Sequence, residues 1–357
     1  MAGTYIIAEA GVNHNGDVEL AKRLIVAAAE AGADAVKFQT FKAEKLASKQ
    51  APKADYQNKT TAAAESQTDM LKRLELSLDS YSELMELCRE KRIDFLSTPF
   101  EEESLSFLVH DCQLPLIKIP SGEITNAPFL WQIARTGLPV ILSTGMSTLG
   151  DIETALGVLA HGYLHQDEPA GQNDFAEAYA EAQRSGLLNE KVQLLHCTTE
   201  YPAPFDEVNL AAMDTMKQAF KLRVGYSDHT RGIAIPLAAV ARGAEIIEKH
   251  FTLDRNLPGP DHKASLEPDE LKTMVEGIRQ IEVAIGSGIK APSASERPNM
   301  VVARKSLVAA RSIKSGEVFS KENMAVKRPG SGISPMLYWE MLGRKTDKNY
   351  SVDELIS

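Results

Sequence analysis

The stretch of residues 224–268, VGYSDHTRGIAIPLAAVARGAEIIEKHFTLDRNLPGPDHKASLEP, constrains the fold more than any other part of the chain. Residues 222–226 form a short apolar run that ends in Ser227-Asp228-His229. Residues 233–242 read as an apolar helix closed by Gly243, and residues 244–247 as a second apolar run that ends in Glu248-Lys249-His250. Two strands joined by a helix over so short a distance make a parallel βαβ unit, because parallel strands need a crossover and the helix supplies it. His229 and His250 then share the carboxyl-terminal edge of neighbouring strands, where α/β enzymes keep their chemistry. The Pro-, Gly- and Asp-rich loop that follows can bring Asp261 back over the same edge. Two imidazoles near a carboxylate suit a divalent transition metal; the other reading is two histidines hydrogen-bonded in a polar layer.

The same alternation runs through the preceding chain. Residues 5–8 form a first strand, followed by the loop 9–16; Asp17 caps a helix over 18–31 and Gly32 stops it. Further strands are expected at 35–38, at 94–97 before Thr98-Pro99-Phe100, and at 116–119 before Pro120-Ser121-Gly122-Glu123. Two more fall at 140–142 before Ser143-Thr144-Gly145 and at 192–195 before His196-Cys197-Thr198-Thr199. Eight apolar strands with intervening helices, none patterned as an amphipathic edge, point to a closed (β/α)8 TIM barrel. A doubly wound open sheet is the alternative, but EAGVNHNG after the first strand is not a dinucleotide fingerprint.

Composition excludes several classes. A chain of 357 residues with 43% hydrophobic residues accommodates one large barrel and a minor module. No apolar run approaches the roughly 20 residues of a membrane span, and residues 1–9 lack the charged start and cleavage site of a signal peptide. Cys88, Cys112 and Cys197 are odd in number and scattered, which fits a reducing, cytoplasmic compartment. A formal charge of −10 argues against a nucleic-acid surface, so an anionic substrate would need a local cationic pocket.

Two insertions interrupt the regular spacing. Residues 41–68 are polar and follow the second strand on the active-site side, as a lid or substrate wall or else a mobile surface loop. Residues 163–190 carry an acidic, Ala-rich middle, 174–184, expected as an added helix on the opposite rim without a catalytic role. The barrel is expected over 1–286, a Ser-, Pro- and Lys-rich linker over 287–298, and a small module over 299–357. A module of that size without disulfides is marginal alone, so its Leu307, Val308, Val318, Phe319, Leu337 and Trp339 are expected to need a partner surface.

Polar residues at strand ends carry the chemistry. Lys37 lies inside AVKFQT and Lys118 inside LIKIPSG, and a lysine buried in an apolar strand must be paired or lose its charge. One account has each lysine snorkel to the rim or pair with a carboxylate such as Glu9. The other makes the two lysines, with Thr98, Ser121 and Ser143, a cage for phosphate or carboxylate, and recurrence at successive strand ends favours it. Near two lysines and a metal, Glu9 becomes a proton-transfer candidate.

The ordered blocks IIAEAGVNHNGD, ADAVKFQTFKAEKL, FLSTPF, KIPSGEITN, ILSTGM, LLHCTTEYPAPFDEV, VGYSDHTRGIAIPLAAVARGA, IEKHFTLDRNLPGPDHKASLEPDEL and VKRPGSGISP together resemble the sialic acid synthase family. The resemblance runs from Ile6 to about Lys345 and is weakest over 163–190. It implies a TIM barrel followed by an antifreeze-like (SAF) domain. It also implies a metal-dependent transferase that condenses phosphoenolpyruvate with N-acetylmannosamine, or a close relative, to a nine-carbon 2-keto acid. By the same resemblance the metal falls on His229 and His250, with Mn2+ first and Mg2+ or Co2+ as alternatives. Phosphoenolpyruvate falls on Lys37, Thr98, Lys118, Ser121 and Ser143. Gln39, Tyr201 and Asp261 match sugar-contacting positions, Glu9 an acid near the reacting carbons, and Arg328 an arginine that reaches the N-acetyl group in the barrel of the other subunit. Thr199 stands where some members have Asn, at the pyruvyl end.

N-acetylneuraminate synthesis is therefore the expected function. The alternative is N,N'-diacetyllegionaminate synthesis from the 2,4-diacetamido-2,4,6-trideoxymannose substrate. A pyruvate aldolase using Lys37 or Lys118 as a Schiff base, or a non-catalytic sugar-binding protein, needs only part of the lysine and histidine set. A stiff linker and an undersized module lead to a domain-swapped homodimer in which each site is completed in trans.

Overall fold

Parallel strands with both faces covered dominate the computed structural model, which describes residues 3–48, 50–54, 57–58 and 65–357. The strands are β1 Tyr5–Gly11, β2 Ala35–Thr40, β3 Asp94–Pro99, β4 Ile117–Ile119, β5 Val140–Ser143, β6 Val192–Cys197, β7 Arg223–Asp228 and β8 Ile246–His250. Their order is β3-β2-β1-β8-β7-β6-β5-β4, and the two ends of that order, β3 and β4, lie against each other and close a TIM barrel. The outer ring includes α1 Val18–Glu30, whose Asp17 side chain accepts from the backbone N–H groups of Glu19 and Leu20 and so caps it. After β2 come α2 Ala43–Leu46 and α3 Gln67–Leu74, and the ring continues through α4 Tyr81–Lys91, α5 Glu102–Ser106, α6 Ala127–Arg135 and α7 Leu149–Leu164. It then runs through α8 Gln172–Ser185, α9 Leu187–Lys191, α10 Ala211–Phe220, α11 Ala234–Ala241 and α12 Pro268–Ile285. Among the described residues no helix is long and apolar enough to cross a membrane.

The period of two along each strand sorts side chains into two cores. Outward residues such as Ile6, Val36, Phe38, Ile117, Ile119 and Leu142 pack under the helices. Inward residues Ile7, Ala35, Leu96, Ile141, Leu195 and Ile246 form a separate apolar plug inside the barrel. On β7 the corresponding inward position is Gly225, because a Cβ there would lie 2.5 Å from the Ile246 carbonyl oxygen and 2.7 Å from Leu195 Cδ2. Two residues beyond this plug, each strand turns polar. Two carboxylates (Glu9, Glu248) and two amines (Lys37, Lys118) share the layer with three hydroxyls (Thr98, Ser143, Ser227) and the thiol of Cys197, all buried. An eight-stranded barrel is thus filled by an apolar layer below and an ionic layer above it.

The strands run further than their apolar runs. Pairing continues through Glu9↔His250, Gln39↔Thr98 and Ser227↔Glu248, so residues expected in loops after the strands are held in the ladder itself. Other bounds shift as well: β4 begins at Ile117 and β8 at Ile246. The expected helix within the 163–190 insertion is α8, which packs along α7 through Ala178 and Ala182. The approach is close enough that a Cβ at Gly157 would stand 2.7 Å from the Phe175 carbonyl oxygen. Within the 41–68 insertion, residues 49, 55–56 and 59–64 lie outside the described residues, and so does that part of the lid reading.

Residues Ser287–Ser357 form a second compact unit, separate from Met1–Gly286. Helix α13, Glu296–Ala303, begins inside the span expected to be a linker. Strands β9 Ser306–Ala309 and β10 Met324–Lys327 pair antiparallel, and Leu307, Ile313, Phe319, Met324, Tyr350 and Ile356 give the unit its own core. That core corrects the expectation of an uncovered module in part: Leu307 and Phe319 belong to it and Val308 is also buried, while Val318, Leu337 and Trp339 remain exposed.

Candidate active site

The ionic layer is the floor of a cavity of about 680 Å³ at the carboxyl-terminal end of the barrel. Lys37 Nζ stands 2.6 Å from Glu9 Oε2, 3.6 Å from Glu248 Oε2 and 3.1 Å from Thr98 Oγ1. Lys118 Nζ is 3.4 Å from Glu248 Oε1, and that oxygen also accepts a hydrogen bond from Ser227 Oγ at 2.8 Å. The lysines are buried, pair with carboxylates as one of the two accounts expected, and line the cavity.

Burial and charge drive the two carboxylates apart. Burial raises the proton affinity of Glu9, and the negative charge of Glu248 adds to it, against the opposing pull of Lys37. Burial opposes ionisation of Glu248 too, but Lys118 and Lys37 together with the Ser227 hydroxyl hold it well below the usual carboxylate range. Burial also works against the Lys37 ammonium, yet Glu248 and Glu9 outweigh it and hold its proton more tightly than normal. Lys118, with fewer partners, is lowered by burial. Two carboxylates with opposed proton affinities in one site are the usual arrangement for separating an acid–base role from a charge-holding role. Glu248 was not singled out from the sequence. The signal was its spacing: Glu248 and His250 are two apart on one strand and must share a face.

The opposite side of the floor supplies hydroxyls. Ser121 Oγ accepts from the Gly145 N–H at 2.9 Å and lies 3.2 Å from Cys197 Sγ. The hydroxyl oxygens of Ser143 and Thr199 are buried without a hydrogen-bond partner, both in residues that line the cavity. Buried orphan hydroxyls beside two cations are the groups a phosphate or carboxylate oxygen would satisfy.

Above the floor, His229 and His250 stand with ring centroids 5.6 Å apart, and Tyr201 stacks at 4.1 Å on His229 and edge-on at 5.6 Å to His250. Asp261 returns to this edge, its Oδ2 4.0 Å from His250 Nδ1. Burial, then the charge of Glu9, pushes Asp261 up to about 7. Gln39 Nε2 donates to Glu9 Oε1 at 3.3 Å. Among the described residues no group of three or more His, Cys, Asp or Glu side chains forms a ready ligand set. The two imidazoles nonetheless fit a divalent ion. Burial lowers both, which favours the neutral form; His229 Nδ1–H donates to the Thr198 carbonyl at 2.6 Å, freeing Nε2, and His250 Nδ1 is buried without a hydrogen-bond partner. Two nitrogen donors would leave the other positions of such an ion to water and substrate oxygens. Arg328 belongs to the second unit, where its exposed guanidinium donates through Nε to the Ala303 carbonyl at 3.1 Å.

Residues 24–290 match the model described as NeuB family, and residues 304–357 match that of the SAF domain. The chain is 55% identical over 356 residues to the N,N'-diacetyllegionaminic acid synthase of Campylobacter jejuni, covering 100% of this chain and 99% of that protein. It is 45% identical over 347 residues to the protein of the same name from Legionella pneumophila, covering 97% and 91%. The crystal structure of N-acetylneuraminic acid (sialic acid) synthetase from Leptospira borgpetersenii, in complex with citrate, superposes with a TM-score of 0.68 at 35% identity, over 84% of this chain and 90% of that one. The chain belongs to the NeuB family.

Proposed function

We propose that this protein condenses phosphoenolpyruvate with 2,4-diacetamido-2,4,6-trideoxymannose to give N,N'-diacetyllegionaminate and phosphate. The observation that carries the choice of sugar is the end-to-end 55% identity to a synthase of that name. It moves N-acetylneuraminate synthesis from N-acetylmannosamine, the expected function, to second place, where the 35% identity to the Leptospira enzyme supports it.

The reaction joins C3 of the enol pyruvate to the aldehyde carbon of the open-chain sugar. Lys37 and Lys118 hold phosphate and carboxylate oxygens, with Thr98, Ser121, Ser143 and Thr199 donating hydroxyl hydrogen bonds that fix the enol for attack. A divalent ion held by His229 and His250, Mn2+ before Mg2+ or Co2+, would supply Lewis-acid polarisation of the aldehyde oxygen. Gln39 and Tyr201 orient the sugar, and Asp261, titrating near 7, delivers the proton that the new alkoxide needs. As the C–C bond forms, C2 becomes cationic and Glu9 stabilises it. Glu9 also takes a proton from the water that adds there; the tetrahedral species then expels phosphate by C–O cleavage, and the C2 hydroxyl gives its proton to the departing phosphate as the 2-keto group forms. The enzyme acts as a homodimer whose Arg328 binds the acyl group in the partner's barrel, a reading that rests on the family resemblance.

Phosphate release measured with each sugar tests this. The trideoxy sugar is expected to exceed N-acetylmannosamine by about tenfold or more in kcat/KM, the scale on which a pocket reads small apolar groups. Activity is expected to stop in excess chelator and return with Mn2+. Preference for N-acetylmannosamine would overturn the choice of sugar. Full turnover in chelator, with pyruvate trapped covalently by borohydride, would replace the mechanism with a Schiff-base aldolase.

A further inference from the structure

The cavity changes character from floor to rim. Along β2 the inward residues climb from Lys37 in the ionic layer through Gln39 to Phe41 beyond the strand end. Phe41 belongs to a small apolar cluster distinct from the main core, with Val12 after β1, Met70 and Leu74 on α3, and Leu46, Leu71 and Phe100 packed against them. All five of Leu46, Met70, Leu71, Leu74 and Phe100 line the cavity; Met70 and Leu74 are buried, and Leu46, Leu71 and Phe100 are half-buried. Ala47, Ala51 and Ala54 continue the same lining with small apolar side chains, with Ser48, Gln57 and Gln67 interspersed among them. In the strand order β5 and β6 lie across the barrel from β1 and β2, so this wall faces the side that carries the Ser143 and Thr199 hydroxyls.

A half-buried leucine pair and a phenylalanine at the mouth of a polar cavity leave apolar surface in water unless a ligand covers it. With the phosphate end of the enol on the lysine floor, the sugar carbons farthest from the reacting aldehyde extend toward the rim. The sugar of the proposed function ends in a C6 methyl and carries an acetamido methyl at C4, whereas N-acetylmannosamine has a hydroxyl at each carbon. We infer that Leu46, Leu71 and Phe100 form the specificity wall of the site, covering the 6-deoxy terminus and the C4 acetamido methyl; this rests on the proposed reaction. A hydroxyl seated against these three side chains would lose water without gaining a partner from them, so the wall selects by penalising the hydroxylated sugar as well as by covering the methyl groups.

The test isolates the wall with two sugars that differ only at C6, N-acetylmannosamine and its 6-deoxy analogue. The intact enzyme is expected to favour the 6-deoxy sugar about tenfold in kcat/KM. Leu46→Ser and Leu71→Ser are each expected to bring the ratio toward one while the phosphoenolpyruvate KM moves less than the sugar KM. Leu71→Met is expected to keep the preference, and thermal unfolding shows whether each variant is folded. Calorimetric Kd values for the same sugars give the ratio independently of turnover. No C6 preference in the intact protein, or a ratio unmoved in both serine variants, would overturn the wall. A preference for N-acetylmannosamine over the diacetamido sugar alone would overturn the proposed function, and the C6 ratio would still decide the wall.

Discussion

Asp228 Oδ2 and Lys249 Nζ lie 2.5 Å apart with neither side chain exposed, one residue before His229 and one before His250. They are register partners on β7 and β8 and occupy the face opposite the inward pair Ser227 and Glu248. Thr230 donates to the same carboxylate from its backbone N–H and its hydroxyl, and its carbonyl accepts from Lys249. The pair therefore ties the two strands together where they deliver the imidazoles.

Lys249→Met is accordingly expected to cost about 3–5 kcal/mol in denaturant unfolding, because it strands a buried carboxylate. Mn2+ affinity, titrated on folded protein, is expected to fall about 10–100-fold, the usual result of losing support behind a ligand. The double variant Asp228→Asn with Lys249→Met should recover part of the stability. Unchanged stability in the single variant would mean that the pair does not hold the strands.

Lys118 and Glu248 make opposite predictions for phosphoenolpyruvate. Lys118→Ala removes a charge-assisted contact of about 1.5–3 kcal/mol and is expected to raise the phosphoenolpyruvate KM with little change for the sugar; Lys37→Ala should act in the same direction. Glu248→Gln strips Lys118 of its nearest carboxylate, so the ligand-free protein should melt lower and gain a larger thermal shift from phosphoenolpyruvate than the intact protein does. A rise in sugar KM alone would put the lysines on the wrong substrate.

His14 sets an acid limit to stability. It is fully buried, its Nδ1 accepts from the Gly16 N–H, and burial lowers its pKa to about 4 from 6.5. Between those values the unfolded chain binds the proton and the folded chain does not. The contribution is complete above pH 6.5 and is lost as pH falls toward 4, by about 3 kcal/mol at most. His262, also lowered to about 4 mainly by burial, adds in the same window. His14→Phe is expected to flatten, though not abolish, the fall in unfolding free energy between pH 6.5 and 4; an unchanged slope would exclude His14 as a source.

Completion of the site in trans is read by complementation. His229→Ala and Arg328→Ala should each be inactive, and mixed dimers should recover activity, since one of their two sites carries neither lesion. No recovery in verified mixed dimers, or an active monomer in sedimentation, would count decisively against it.

Local sequence determined the strand and helix order, because the side-chain periods of two and 3.6 and the capping residues are written in neighbouring positions, as Asp17 before α1 shows. It also marked Lys37, Lys118, His229 and His250, each a polar residue inside or at the end of an apolar run. Tertiary structure decided what those residues meet. Glu248 looked like one of several strand-end charges until register set it between two lysines, and Asp228 found Lys249 only because β7 and β8 align residue for residue. The small unit packs Leu307 and Phe319 into its own core, through pairing and packing between segments far apart in the chain. The opposed proton affinities of Glu9 and Glu248 follow the same rule. Their charge and hydrogen-bond partners come from five different strands, and no window of the sequence contains them together.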